Sequence, residues 1–431
     1  MPVTLSTRDP GFEAAFRALL AAKRESAADV DDTVAAIIED VAARGDAALV
    51  EYTQRFDRVR LSPDHLRLSP DEIVAGADRA PPETVATLRL AAERIESFHR
   101  RQLPVGIDYV DAVGVRLGQR WRPIAAAGLY VPGGTASYPS SVLMNAIPAK
   151  VAGVERLVMT VPTPDGILNP LVLVAARMAG ITEIYRIGGA QAVAALAYGT
   201  VTIAPVDKIV GPGNAYVAAA KRRVFGRVGI DMIAGPSEIL ILADRYNDPG
   251  WIAADLLSQA EHDPAAQAIL IADDRDFANA VASAVTRHLE RLPRADIARA
   301  SWQESGAIIL VADWQEAVAL VDRIAPEHLE LAIEDAEAVA QQVHHAGAIF
   351  LGRHTPEAIG DYIAGPNHVL PTARSARFAS GLGVLDFMKR TTIVGCDAAS
   401  LAALAPAAIR LAEAEGLDAH ALSLVLRLGH E

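Results

Sequence analysis

Cysteine is almost absent from this chain of 431 residues, in which Cys396 is the only one. A single thiol excludes both a disulfide within the chain and a cysteine-rich zinc module, and it is consistent with a reducing compartment. The thiol has no nearby base and no glycine-rich nucleophile motif. Its apolar neighbours in Ile393-Val-Gly-Cys396 therefore predict a buried structural cysteine.

Positive charge is also scarce, because 40 Lys and Arg residues face 53 Asp and Glu residues, which gives a net charge of -13. Proteins that bind nucleic acid or an anionic membrane surface need a basic face, so both kinds of partner are disfavoured. The first ten residues lack the basic start and the apolar core of a signal peptide. No uncharged apolar run reaches transmembrane length. We therefore expect a soluble cytoplasmic protein.

Neither of two common phosphate-binding motifs occurs. The pattern G-x-G-x-x-G fails after Gly211-Pro-Gly213, because Tyr216 occupies the third glycine position, and G-x-x-x-x-G-K-[ST] is absent. Glycine turns nevertheless follow three apolar runs, at Gly133-Gly134, Gly188-Gly189 and Gly211-Pro-Gly-Asn214. One such turn only permits a tight change of direction. Three at the same ends of three strands predict a ligand cleft at the carboxyl edge of a parallel sheet, with the nucleotide unidentified.

From Trp121 onward, short apolar runs alternate with helical stretches such as 171–179 and 190–198. The predicted strands form two series: 124–130, 156–161, 183–187 and 208–210, then 238–243, 268–272, 306–311 and 347–351. This alternation predicts an α/β fold with two Rossmann-like parallel-sheet units that lack the usual glycine fingerprint. Apolar spacing over 11–56 and an alanine-rich tail from about Thr391 add a helical N-terminal region and a helical C-terminal tail.

Ligands for a metal ion are suggested by Gln259-Ala-Glu-His262, in a segment without Gly or Pro that predicts a helix. Residues three apart share a helix face, so the Gln259 amide and the His262 imidazole project together. Asp361, directly after Gly360, adds a carboxylate, and such a set without thiolate suits zinc or manganese. A lone buried histidine more often hydrogen-bonds in the core, but the recurrence of these residue types favours a metal. The fourth ligand stays open between His368 and His420.

An acid–base pair is suggested by Glu327 and His328, which follow Pro326. In an extended segment the two side chains point to opposite sides, so one would face a substrate and the other a water. Imidazole suits a base near neutral pH. A helix beginning at Pro326, with Glu327 favoured by the helix dipole, is the alternative local structure. With the metal ligands, this pair predicts a metal-assisted oxidoreductase or hydrolase.

Taken together, the motifs resemble the histidinol dehydrogenase family over nearly the whole chain. The resemblance rests on these segments: Tyr130-Val-Pro-Gly-Gly134, Gly188-Gly-Ala-Gln191, Gly211-Pro-Gly-Asn-Ala215, Ile230-Asp-Met-Ile-Ala-Gly-Pro-Ser-Glu238, Asp255-Leu-Leu-Ser-Gln-Ala-Glu-His262, Ala325-Pro-Glu-His-Leu-Glu330, Gly360-Asp-Tyr362, Gly365-Pro-Asn-His-Val-Leu-Pro371, Ser380-Gly-Leu-Gly-Val384 and Glu413-Ala-Glu-Gly-Leu-Asp-Ala-His420. One departure is Gly383, where the family pattern has serine.

The resemblance implies oxidation of L-histidinol to L-histidine through L-histidinaldehyde, the four-electron last step of histidine biosynthesis, with zinc and NAD as cofactors. Roles carry over position by position. The implied zinc ligands are Gln259, His262, Asp361 and His420, and the implied acid–base pair is Glu327 and His328. The implied NAD contacts are Tyr130, Gln191 and Asn214. The implied substrate contacts are Ser237, Gln259, His262, His328, Asp361, Glu415 and His420.

The resemblance further implies a homodimer with one zinc per subunit, in which each C-terminal tail brings Glu415 and His420 to the partner's site. The expected division is an N-terminal helical arm over 1–24, a discontinuous main α/β catalytic domain over 25–129 and 238–381, an inserted Rossmann-like NAD-binding domain over 130–237, and a dimerisation tail over 382–431.

Three alternative functions stay open at this point. A related zinc- and NAD-dependent dehydrogenase would act on another amino or sulfonated alcohol. A zinc hydrolase would use the same ligands to activate water and would need no nucleotide. A non-catalytic NAD-binding protein would leave the metal ligands and the Glu327-His328 pair unexplained.

Overall fold

The computed structural model describes residues 2–22, 30–133, 138–233 and 235–429. Gly134 of the first glycine turn lies outside the described residues. The chain divides into two compact units, Met1–Gln102 with Ala125–Phe387, and Leu103–Ile124 with Met388–Glu431. Within the described ranges, no helix has both the length and the apolar character needed to cross a membrane.

Strands and helices alternate through most of the chain. The strands are β1 (Val3–Ser6), β2 (Ile107–Val110), β3 (Arg116–Pro123), β4 (Ala126–Tyr130), β5 (Arg156–Thr160), β6 (Glu183–Tyr185), β7 (Lys208–Val210), β8 (Gly229–Ile230), β9 (Glu238–Ala243), β10 (Gln267–Ala272), β11 (Ala307–Leu310), β12 (His328–Ala332), β13 (Ala348–Leu351) and β14 (Met388–Gly395). The helices are α1 (Phe12–Ala21), α2 (Asp31–Arg44), α3 (Asp46–Asp57), α4 (Pro70–Ala77), α5 (Pro82–Arg100), α6 (Pro139–Ala152), α7 (Pro170–Ala179), α8 (Gly189–Tyr198), α9 (Ala215–Val224), α10 (Pro249–Ala260), α11 (Arg275–Leu289), α12 (Ala295–Glu304), α13 (Trp314–Ile324), α14 (Ala336–Ala340), α15 (Glu357–Ile359), α16 (Ala398–Ala414) and α17 (Asp418–Arg427).

The first unit contains two parallel sheets, which confirms the predicted α/β fold class. One has six strands in the order β1-β11-β10-β9-β12-β13, and the other has five in the order β6-β5-β4-β7-β8. Every residue of β9, β10 and β4 is buried. Central strands covered on both faces need apolar side chains on both, which explains why their sequences are nearly continuous apolar runs.

Helices cover both faces of the six-stranded sheet. Apolar residues of α10, α11 and α12 form one core cluster with it, and those of α1, α13 and α14 form another. On the five-stranded sheet, one cluster joins α2, α3, α8 and α9. Because these cores hold the strands in fixed register, the residues at the strand ends are held in fixed positions.

Helix α10 begins where Asp248 accepts the N–H of Gly250 at 2.7 Å, with Pro249 at the first helical position. It ends at Ala260, so His262 lies in the following turn, where its N–H donates to the Gln259 carbonyl at 3.2 Å. The prediction of one helix carrying both residues therefore holds for Gln259 and fails for His262.

The second unit contains an antiparallel sheet in the order β14-β3-β2, followed by α16 and α17. The sequence predicts a helical tail from about Thr391, and this is wrong up to Gly395, which still belongs to β14. It also predicts only helix near the N-terminus, whereas β1 pairs with β11 there. Cys396 is exposed, so the predicted buried thiol is wrong.

A buried histidine in α5 gives the first unit a pH-dependent stability. His99 is fully buried, its Nδ1 lies 2.8 Å from the Ile95 carbonyl, and its Nε2 has no partner among the described residues. Burial lowers the pKa of His99, so the folded protein keeps the ring neutral while the unfolded chain takes up a proton. Stability is thus lost as pH falls below the ordinary histidine value of about 6.5, by at most about 1.4 kcal/mol per pH unit.

We expect the unfolding free energy, measured with urea at pH 7 and pH 5, to fall less on acidification in His99→Leu than in the wild type. A variant of the exposed His65, His65→Ala, should keep the wild-type dependence. If His99→Leu and the wild type lose the same free energy, His99 does not contribute to the acid sensitivity.

Candidate active site

A cavity of about 310 Å³ lies within the first unit. Its size falls in the range of small-ligand sites. One parallel sheet contributes the carboxyl ends of its strands to the lining, and the other contributes the amino ends of its strands. The five-stranded sheet contributes the carboxyl end of β4, at Tyr130, and the turn that follows β7, at Gly211. The six-stranded sheet contributes the amino ends of β9 and β12. The predicted site residues that line the cavity are Tyr130, Asn214, Ser237, Gln259, His262, Glu327, His328 and Asp361.

The backbone of Glu238 holds both residues of the predicted acid–base pair. Its N–H donates to Glu327 Oε2 at 2.9 Å, and its carbonyl lies 2.9 Å from His328 Nδ1. Because a carbonyl only accepts, Nδ1 carries a hydrogen and the other ring nitrogen is directed elsewhere. His328 begins β12 and Glu327 immediately precedes it, so the extended alternative is correct and the helix beginning at Pro326 is wrong.

His328 Nε2 points into a group of carboxylates. It lies 3.7 Å from Asp361 Oδ1 and 3.8 Å from Glu357 Oε1. Burial disfavours a charged imidazole, but the negative charges of Glu327, Asp361 and Glu357 outweigh it and raise the pKa of His328 to about 10. Burial raises the pKa of Glu327 to about 7. At neutral pH these carboxylates therefore keep the imidazole of His328 protonated, whereas the Glu327 carboxyl can both release and take up a proton.

Three buried polar atoms around this group have no hydrogen-bond partner among the described residues: Gln259 Oε1, His328 Nε2 and Glu357 Oε1. Burying a polar atom without a partner costs on the order of 1–3 kcal/mol, so their convergence indicates a site that binds a ligand. Gln259 is 1% exposed, whereas His262 is an exposed residue that lines the cavity. Zinc can bind an amide oxygen, an imidazole nitrogen and a carboxylate oxygen. Gln259, His262 and Asp361 supply these three ligand types, so the residues present fit a zinc ion.

Asp361 lies in the π-helical turn Gly360–Ala364, a rare form that is frequently found at functional sites. His368 lies against the same turn, with Nδ1 3.0 Å from the Asp361 carbonyl and Nε2 3.4 Å from Ser141 Oγ. Both residues line the cavity. His368, one of the two candidates for the fourth metal ligand, is thus held by protein contacts on both ring nitrogens.

Glu357 was not predicted from the sequence. One donor atom each of His328, Glu357 and Asp361 lie within 4.8 Å of one another, a second possible metal-holding group that shares only Asp361 with the predicted ligands. Burial and the charge of Asp361 raise the pKa of Glu357 to about 8. A signal existed, because Glu357 precedes Asp361 by four residues and such residues share a helix face.

The predicted NAD contacts lie around the five-stranded sheet. The Tyr130 hydroxyl accepts the N–H of Gly189 at 3.0 Å, and burial raises the pKa of this tyrosine to about 12. Asn214 caps α9 by accepting the N–H of Val217 at 3.2 Å. Gln191 is buried in the first turn of α8 and does not belong to the cavity lining described above.

Two predicted site residues belong to the second unit. Glu415 directly follows α16, His420 lies in the first turn of α17, and both are exposed. Their predicted roles as substrate contacts, and that of His420 as a zinc ligand, remain predictions. The same holds for the roles of the residues that line the cavity.

Comparison with known proteins decides the family. The histidinol dehydrogenase family model matches residues 20–428. The chain belongs to the histidinol dehydrogenase family. The histidinol dehydrogenase of Rhodospirillum rubrum is 67% identical over 429 residues, and that of Ruegeria pomeroyi is 65% identical over 428 residues, with 99% of both chains covered in each case. The crystal structure of the enzyme from Elizabethkingia anophelis shares 37% identity at a TM-score of 0.94, covering 99% of this chain and 98% of that one.

Membership in this histidinol dehydrogenase family makes the chain an oxidoreductase of histidine biosynthesis that acts on a small molecule. The resemblance stated from the motifs is thereby confirmed. The hydrolase and the non-catalytic binding protein are excluded, since neither is an oxidoreductase.

Proposed function

We propose that the chain oxidises L-histidinol to L-histidine through L-histidinaldehyde in two NAD-dependent steps at a zinc site. The observation that carries the proposal is the meeting of two sets of groups in one cavity. The acid–base pair lies at the amino end of β12, the metal donors lie at the end of α10 and in the turn Gly360–Ala364, and a glycine turn suited to a nucleotide lines the same cavity. An alcohol held between the two sets would face both a base and a hydride acceptor.

Gln259, His262 and Asp361 would hold zinc, together with His420 of the partner subunit. When bound, the zinc ion would orient the substrate and add a positive charge that offsets the carboxylates around His328. Tyr130, Gln191 and Asn214 would contact NAD, which supplies the hydride acceptor for each step. We propose that the protein is a cytoplasmic homodimer with one zinc per subunit and that each tail completes the partner's site.

His328 would move protons in both steps. Its Nδ1 is fixed on the Glu238 carbonyl, which leaves Nε2 facing the cavity. With the charge of the surrounding carboxylates offset by a bound cation, the pKa of the ring would fall, and neutral Nε2 would accept the hydroxyl proton as the hydride leaves. The aldehyde then needs water to add before the second hydride leaves. Glu327 would assist that addition, because a carboxyl with a pKa near 7 exchanges protons readily at neutral pH.

The remaining residues orient the substrate. Ser237, Gln259, His262, His328 and Asp361 line the cavity, and Glu415 and His420 would reach it from the partner's tail. Fixing the carbinol carbon in place contributes much of the rate, because positioning replaces a chance encounter. Water as the nucleophile of the second step agrees with Cys396, which is exposed in the second unit.

The test is NADH formation from L-histidinol, counted per substrate consumed, before and after chelation and after zinc is added back. We expect two NADH per histidinol, loss of activity with the chelator and recovery with zinc. Zinc-loaded, folded protein that forms no NADH from histidinol would contradict the proposal and would direct attention to another amino or sulfonated alcohol. One NADH per histidinol would reject the second step.

A further inference from the structure

An almost completely buried ion pair lies against the glycine turn of the cavity, and one of its members, Asp231, also lines the cavity. Lys221 projects from α9 and Asp231 directly follows β8, and Lys221 Nζ contacts Asp231 Oδ1. Their side chains are 3% and 1% exposed. Lysine and aspartate are among the residues least often buried, so this pair needs an explanation.

Both partners of the ion pair bind the backbone of one residue, Gly211. The Gly211 N–H donates to Asp231 Oδ2 at 2.8 Å, and Lys221 Nζ donates to the Gly211 carbonyl at 2.9 Å. Asp231 Oδ1 also accepts the N–H of Met232 at 2.7 Å. The peptide groups on the two sides of Gly211 are therefore held by opposite charges, and charge-assisted hydrogen bonds of this kind are the strong ones.

The backbone of Gly211 is also restricted by its own conformation and packing. Gly211 has a φ of +114°, which favours glycine, and a side chain here would begin 2.1 Å from the Tyr130 carbonyl oxygen. The turn thus packs directly on the backbone of Tyr130. Tyr130, Gly211 and Asn214 all line the cavity. A displacement of Gly211 would therefore move the cavity wall to which the nucleotide contacts are assigned.

Stability alone does not explain the pair, because replacing a buried ion pair by apolar residues is often neutral or stabilising. Direct binding of phosphate does not explain it either, since the charge of Lys221 is matched by Asp231 and its Nζ is directed at the turn. We propose that Lys221 and Asp231 are positioning residues that fix the Gly211–Asn214 turn in the conformation that binds NAD. This inference rests on the proposed function, which assigns NAD to this wall.

The test compares Lys221→Met, Asp231→Asn and the double variant that carries both substitutions with the wild type. All four proteins are loaded with zinc. Asp231→Asn keeps an oxygen for the Gly211 N–H but removes the charge, and the double variant avoids an unpaired buried carboxylate. NAD affinity is measured by calorimetry without substrate, and the KM values for NAD and L-histidinol are measured by turnover. Lys208→Met is the matched control, because Lys208 binds Asp386 at the amino end of β7, the strand that Gly211 follows.

We expect the double variant to bind NAD about tenfold more weakly, with a matching rise in the KM for NAD and little change in the KM for histidinol, because small displacements of positioning groups are costly. Lys208→Met should keep the wild-type affinity for NAD. Wild-type affinity in folded pair variants would overturn the inference while leaving the proposed function intact. A wild-type protein that does not bind NAD would overturn both. If Lys221→Met does not fold, the NAD affinities of Asp231→Asn and the double variant still test the inference.

Discussion

Replacing His328 with alanine is expected to lower the rates of both oxidation steps by about 10²–10⁴-fold, the usual loss when a general base is removed. The large effect follows from the placement of the ring. Its Nδ1 is fixed on the Glu238 carbonyl and its Nε2 faces Asp361 and Glu357, so no other imidazole of the cavity occupies the same place. Single-turnover measurements that start from L-histidinol and from L-histidinaldehyde report the two steps separately.

The control for this variant is His344→Ala, because His344 is an exposed histidine that contacts Asp322. It should keep both rates. Zinc content is measured alongside, so that a loss of metal is distinguished from the loss of a base. A His328→Ala protein that retains zinc and loses less than about tenfold in either step would show that His328 is not the base.

Replacing Glu327 with glutamine is expected to slow the aldehyde step by about 10²-fold and the alcohol step much less. Glutamine has nearly the same shape and keeps an oxygen for the Glu238 N–H, which Glu327 Oε2 now accepts at 2.9 Å. It loses the carboxyl whose pKa burial raises to about 7, and only the aldehyde step requires the addition of water. The same two single-turnover assays measure the difference.

Equal losses in the two steps would reject the separate role of Glu327. Cys396→Ala supplies the complementary control, because a thiol could replace water as the nucleophile of the second step. Cys396 is exposed in the second unit, and its substitution should leave both rates unchanged. A selective loss of the aldehyde step in Cys396→Ala would exclude the mechanism with water.

The central strands of both parallel sheets were predictable to within a few residues. The predicted strands 208–210 and 238–243 coincide with β7 and β9, because strands buried on both faces require continuous apolar runs. The strand β3 has no such signal, because its sequence, RLGQRWRP, is mostly polar and none of its residues is buried. Its register with β14 joins residues far apart in sequence, such as Gly118 and Ile393, and local patterns do not contain that information.

In the site, residue types that are rare in apolar surroundings were predictable, and their mutual contacts were not. Gln259, His262 and Asp361 stand out as metal donors, and the structure places all three around one cavity. Glu357 was missed because an acidic residue near a helix start has a common alternative explanation in the helix dipole. The apolar neighbours of Cys396 predict burial, and this is wrong. Cys396 follows β14, which is an edge strand of its sheet, so its apolar neighbours are partly exposed.

The contacts that hold the proposed acid–base pair come from a peptide backbone, and this has an evolutionary consequence. Both Glu327 and His328 are bound by main-chain groups of Glu238, which every amino acid except proline retains in full. Mutations that change the side chain at 238 therefore leave the two anchoring hydrogen bonds available. Lineages, or laboratory libraries, can therefore change the side chain at this position while Glu327 and His328 keep their main-chain supports.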